Sequence, residues 1–516
     1  MKRTLAGLLA AAAIALLPGR GFAADPLPPG VAWHTGEVDS AFARARQEGK
    51  PLFLYWGAVW CPPCNQVKAT VFSRQDFIAR ARLFVPVYID GDAPGAQKLG
   101  ARFKVSGYPT MILFRPDGTE VTRLPGEVDG GSYMRVLALG AASARPVKTL
   151  LASARAGKPL AANDWQLLAW YSWETDEQAL VARGELVPTL WQLAQASNGA
   201  APEASARLAL KAMTAASRTP ADKAPLDKAA ALQRLRATLA SPMVARANFA
   251  ELVYAAGRLP GYLTEPNTPA REQLLREWDR LLLRQSGDGT LARLDRIAAT
   301  DARVSLARVD APKGPLPLAL QTEVRAVTHR AAREATDRYE REAVITASAQ
   351  LLADAGLPEE SDTMLNAELK RSATPYYLML GLAANARQRG DHAAALAWYE
   401  QAYAGAQGPA TRLQWGTSYV RALVDLAPAD AARIERAARS VIGELEPKPE
   451  TFHGRNSTAL VRLGGKLDEW NRDGSHNAAL ARLREQLASV CAQLPAQSPE
   501  RAECTAVLAS RAGKAA

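Results

Sequence analysis

Cysteine is scarce, with four in 516 residues, too few for a fold stapled together by disulfides. No apolar run reaches the roughly 18 residues that cross a bilayer, which excludes a polytopic membrane protein. Histidine occurs five times, scattered, and offers no paired ligands for a metal. Charged residues make up 22% of the chain against 48% hydrophobic, a balance that excludes wholesale disorder. The net charge is +11, but its positives are interspersed with acids and form no dense patch, so no nucleic-acid partner is implied. At about 150 residues per domain, the length allows roughly two to four domains.

The first residues read as a secretion signal. Met1-Lys2-Arg3 is a positive start, Leu5 to Leu17 is apolar or small, and Pro18-Gly19 breaks the run. Gly21-Phe22-Ala23 suits cleavage after Ala23, with Ala24 as the alternative, and no cysteine marks a lipoprotein junction. Residues 1–23 are therefore expected to be removed. The mature chain is expected in an extracytoplasmic, oxidising space, the periplasm in a bacterium.

Two patterns divide the remainder. From residue 28 to 145, short apolar runs alternate with helical segments. Helices are predicted at Asp39–Gln47, Pro62–Val71, Asp76–Arg82 and Asp129–Leu139. Strands are predicted at Pro51–Trp56, Phe84–Ile89, Thr110–Phe114 and Thr119–Leu124, the last two joined by a turn at Asp117-Gly118. This order implies an α/β fold with a mixed sheet covered on both faces. From residue 148 strand signals vanish and amphipathic helices follow. Leu274, Leu275, Trp278, Leu281 and Leu282 share one helical face, and Thr219, Pro220 and Asp222 read as a helix start. Gly356 and Gly390 are 34 residues apart, as are Pro375 and Pro409. The segment from Gly390 to Ala402, with small Ala395 and Ala402 flanking Tyr399, resembles the second half of a tetratricopeptide repeat. Ser361 and Leu365 mark a weaker copy, and a third helix pair is expected between Trp415 and Leu445. The expected regions are 148–345 helical, 346–447 tetratricopeptide-like and 448–516 a helical cap, a mostly α-helical solenoid overall.

The chemistry is expected at Cys61-Pro62-Pro63-Cys64. A cysteine at the first turn of a helix meets free backbone N–H groups that stabilise a thiolate, and a second cysteine three residues on can close a disulfide with it. Pro62 suits a first helical turn. Zinc and a static bridge are the alternatives to redox chemistry.

Trp60-Cys61-Pro62-Pro63-Cys64, followed by Val105-Ser106-Gly107-Tyr108-Pro109-Thr110, Asp117-Gly118 and Gly126, resembles the thioredoxin superfamily, in particular its periplasmic thioredoxin-like domains. The resemblance covers about a fifth of the chain. It implies a cis-proline at Pro109 beside Cys61, and substrate contact through Trp60, Tyr108 and Pro109. It implies catalysis by Cys61 and Cys64 through a redox-active Cys61–Cys64 disulfide, with no cofactor. Tyr55 stands where the family keeps a buried acid, and Pro86 where it keeps the accompanying lysine. The base for Cys64 is thus open between Tyr55, a water and Lys68. The Pro-Pro dipeptide places no cation beside Cys61, which favours a protein-disulfide reductase over an oxidant. Partners would be protein or peptide disulfides, with a membrane thiol reductase as electron source by family analogy. The other reading is a tetratricopeptide-like scaffold that uses the thioredoxin fold as a binding module. Cys491 and Cys504 are expected to form a structural disulfide between the last helices.

Overall fold

The computed structural model describes residues 27–105, 107–124, 126, 130–142, 145–173, 180–220 and 226–509. The leader, Ser106, Asp129 and Asp222 lie outside the described residues. The first unit runs α1 (Val38–Glu48), β1 (Leu52–Gly57), α2 (Pro62–Val67), α3 (Gln75–Ala81), β2 (Val85–Asp90), α4 (Ala96–Phe103), β3 (Thr110–Phe114), β4 (Glu120–Leu124) and α5 (Gly130–Ala142).

All six residues of β1 are buried, which makes it a central strand. The sheet order is β2-β1-β3-β4, with β1 parallel to β2 and antiparallel to β3. Strand alternation sends Phe53 and Tyr55 to one face, with Cys61, Cys64, Phe72 and Phe77. Leu52, Leu54 and Trp56 go to the other face, against Val38, Ala41 and Phe103 of α1 and α4. The sheet is thus covered on both sides.

Among the described residues, twenty α-helices follow from Val147 onward. They are not a loosely tethered appendage. The apolar core containing Phe53 and Cys64 continues without a break through Trp165, Leu208 and Trp278 to Leu306. The array touches the first unit at several places. Helix Ala162–Trp170 packs on α5 and β4, helix Arg338–Asp354 on α2, and helix Gly454–Trp470 on α4. It therefore wraps around the end of the sheet where β1 leads into α2.

Consecutive antiparallel pairs occupy Arg338–Asp354 with Pro358–Glu368, Pro375–Gln388 with His392–Gly405, and Pro409–Leu426 with Ala431–Gly443. Gly356 and Gly390 hold equivalent turns at φ +81° and +79°, where a residue with a Cβ would be strained. Ser361, Leu365, Ala395 and Ala402 are buried and Tyr399 is half-buried. Cys491 and Cys504 are disulfide-bonded and join helices Asn477–Cys491 and Pro499–Ala506.

One expectation is corrected, one falls partly outside the described residues, and one helix was not foreseen. The helix start read at Thr219, Pro220 and Asp222 runs into residues 221–225, which lie outside the described residues; the next described helix starts at Lys228, where Asp227 accepts from the N–H groups of Ala229 and Ala230. The helix beginning at Pro62 is α-helical only to Val67 and continues to Phe72 with wider π-type turns. Helix α4 had no counterpart in the sequence reading.

Candidate active site

Cys61 caps α2, and the backbone N–H of Cys64 donates to its Sγ at 3.1 Å. Pro62 fills the first helical position, where no N–H is needed. Cys61 and Cys64 are disulfide-bonded with Cα atoms 5.2 Å apart. Cys61 is only 2% exposed and Cys64 fully buried. The Tyr108–Pro109 peptide is cis. Gly126 lies flush against the Pro109 ring: a Cβ there would come within 2.3 Å of Cγ.

Beneath the cysteines, Tyr55 is fully buried and stacked on Tyr88 at 5.3 Å. Its hydroxyl has no hydrogen-bond partner among the described residues. Burial, reinforced by the Asp90 charge, pushes its pKa far up, so it stays neutral and is not a base at physiological pH. Lys68 is buried one turn after Cys64, and burial pulls its pKa down to about 8 against the opposing pull of Asp90. Its Nζ donates to Asn65 Oδ1 at 3.4 Å and lies 5.5 Å from the Tyr339 ring centre. Burial pushes Asp90, at the end of β2, up to about 6. Lys68 and Asp90 therefore titrate on either side of neutrality.

On the opposite flank, one carboxylate gathers Trp60 and Tyr108, two of the three substrate-contact residues expected from the sequence. Asp92 accepts from Trp60 Nε1 at 2.5 Å, from the Tyr108 hydroxyl at 2.9 Å, and from the Thr411 hydroxyl of the helical array. Further array residues close over the same spot. Tyr377 stacks on Trp60 at 5.5 Å and Trp415 meets it edge-on at 4.9 Å. The Arg455 guanidinium lies 4.5 Å from the Tyr108 ring centre and 5.5 Å from that of Trp60. The Arg455 backbone N–H donates to Gln97 Oε1 at 2.8 Å, and Gln97 Nε2 donates to the Tyr108 oxygen at 3.0 Å.

The structure thus brings together Trp60, Cys61, Cys64 and Tyr108, and covers the Trp60–Tyr108 flank with helices more than 260 residues away in sequence. Asp90, Asp92 and Gln97 escaped the sequence reading. The first two carried a signal, since they follow a parallel strand at its carboxyl end, where sites in α/β sheets gather. Thr411 and Arg455 carried none. Among the described residues, no group of three or more histidine, cysteine, aspartate or glutamate side chains is placed to hold a metal. No helix among them is long and apolar enough to cross a membrane.

Residues 38–140 match the family model described as a thioredoxin-like domain. The first unit is a thioredoxin-like domain. Over 102 residues the chain is 31% identical to thiol:disulfide interchange protein DsbD 2 of Pseudomonas aeruginosa, covering 19% of this chain and 17% of that protein. It is 36% identical over 101 residues to DsbD 1 of the same organism, covering 18% and 16%. It is 32% identical over 149 residues to DsbD of Ralstonia nicotianae, covering 28% and 23%. The chain therefore spans less than a quarter of the length of these relatives. A solved structure titled DsbH oxidoreductase is similar at 22% identity and a TM-score of 0.20, over 24% of this chain and 92% of that one.

Proposed function

We propose that this chain is an extracytoplasmic thiol–disulfide oxidoreductase working as a protein-disulfide reductase. The observation that carries the reading is the Cys64 N–H aimed at Cys61 Sγ at the start of α2, which favours a thiolate there once the disulfide is reduced. In the reduced state, Cys61 thiolate attacks a substrate disulfide. A Cys61–substrate disulfide forms and the other substrate sulfur leaves as a thiol. Cys64 then loses its proton and displaces the substrate, which departs reduced while the Cys61–Cys64 bond forms. Two electrons pass from the cysteine pair to the substrate, so each turnover requires a dithiol donor, in this reading a membrane thiol reductase. The names of the relatives, thiol:disulfide interchange proteins, support the chemistry. With Tyr55 neutral, the Lys68–Asp90 pair is the stronger source of a base for Cys64.

In this reading residues 1–23 are a cleaved leader, residues 28–145 the catalytic unit, and Trp60, Tyr108 and Pro109 its substrate contacts. The array, tetratricopeptide-like over 346–447 and capped by 448–516, selects substrates, and Cys491–Cys504 is structural. The test is reduction of insulin by the pre-reduced full chain. Cys61→Ser is expected to fall to the uncatalysed rate, and a variant as fast as the parent overturns the assignment. The scaffold reading draws on one observation, the burial of Cys61 beneath the array. It prevails if Cys61→Ser retains partner binding and fully supports the cell.

A further inference from the structure

Helix α2 meets the array across an open space as well as by direct packing. Pro62 and Pro63, the residues between the two cysteines, form one wall of a cavity of about 960 Å³, together with Gln66 of the same helix. The remaining walls come from the helical array, from Trp170 to Tyr377. This volume lies at the upper end of the range for ligand sites. It holds several residues of an extended chain.

The lining has a definite chemistry. Its ionised side chains are Arg207, Arg218, Arg246 and Arg258 against Asp295 and Asp301. Arg207 is buried, paired with Glu251 at 2.9 Å, and stacked 3.6 Å from the Trp170 ring centre, which fixes it as part of the wall. Arg218 and Arg258 are exposed and Arg246 is half-buried, so their charges can meet an entering molecule at modest desolvation cost; the Arg218 guanidinium also donates to the Tyr254 hydroxyl and lies 4.8 Å from that ring centre. Gln66 donates to Asp295 at 3.5 Å, tying the floor at α2 to the array. Phe249, Val253 and Ile297 supply apolar surface between the charges.

We propose that this cavity is an accessory substrate site, holding an extended peptide segment with acidic side chains that flanks the cysteine a substrate offers to Cys61. The inference rests on the thiol–disulfide exchange reading for its chemistry, while its binding component stands apart from it. The array then acts as a selectivity device, since it holds a flexible anionic segment of the substrate beside α2.

The test uses the oxidised full chain and short fluorescent peptides whose central cysteine is replaced by serine, flanked by glutamate or by glutamine. Binding is read by anisotropy. The glutamate peptide is expected to bind about tenfold more tightly, the effect of one or two screened ion pairs, with the preference shrinking at high salt. Arg218→Glu and Arg258→Glu, both at exposed positions, are expected to abolish the preference, and the milder Arg246→Gln to reduce it. A second arm follows single-turnover reduction of the corresponding cysteine peptides as disulfide-linked dimers, beside the small neutral hydroxyethyl disulfide. The arginine variants are expected to slow the glutamate dimer and leave hydroxyethyl disulfide unchanged. Equal binding of both peptides by the parent, or a preference that survives charge reversal, overturns the proposal. A parent that binds the glutamate peptide selectively but reduces nothing overturns the exchange reading and leaves the binding site standing.

Discussion

Replacing Thr411 by valine probes the closure of the helical array over the catalytic unit. The Thr411 hydroxyl donates to the Asp92 carboxylate across 319 residues of sequence and is buried. Valine keeps the shape and the helix, and Asp92 keeps its bonds from Trp60 and Tyr108. Hydrogen bonds to a charged group contribute roughly 1.5–3 kcal/mol, so the substitution should weaken closure by about 2 kcal/mol. At about 1.4 kcal/mol per factor of ten, the open population then rises about 30-fold. Cys61 is buried beside Cys64 in the disulfide state, so after reduction its alkylation by a neutral reagent is expected to report that population when closing outpaces the reaction. The rate constant should rise by a similar factor, with far-ultraviolet dichroism unchanged. A change under about threefold would show that Thr411–Asp92 does not hold the cover, since it lies within the scatter of one exposed ion pair.

Three further outcomes follow from the same coordinates. Asp90 has a folded pKa of about 6 against an ordinary 3.8, so the folded chain binds more protons than the unfolded one between those values. Its contribution is complete below about pH 4 and is lost as pH rises to about 6, a fall of about 3 kcal/mol that Asp90→Asn should flatten in urea titrations at stepped pH. Gly126→Ala would drive a methyl into Pro109, and overpacking of this kind costs roughly 1–3 kcal/mol, read as a lower urea midpoint. Cys491→Ser opens a 13-residue link and should cost about 3 kcal/mol while leaving the reduction rate of Cys61–Cys64 unchanged; a changed rate would argue for a relay between the pairs.

The catalytic unit was legible because its signals are local. The run from Leu52 to Trp56 is apolar throughout, as a strand buried on both faces requires, and the cysteine spacing marks the helix that follows it. Helix α4 was hidden by Gly100, an unfavourable residue in a helix interior. The structure gives the reason: the Trp56 ring would lie 3.0 Å from a Cβ at that position. The site's cover was invisible for a different cause. Asp92 meets Thr411 across 319 residues and Gln97 meets Arg455 across 358, and such contacts leave no periodicity in the chain. Trp415 illustrates the difficulty: it is buried in the core of the array, and it is also the ring that meets Trp60.

Equilibrating the Cys61–Cys64 pair of the full chain with glutathione tests the central claim most directly. The account predicts a reversible pair with a potential close to that of thioredoxin, about −270 mV. A potential near −120 mV would contradict the reductase assignment, and cysteines that fail to interconvert with glutathione would contradict exchange chemistry altogether.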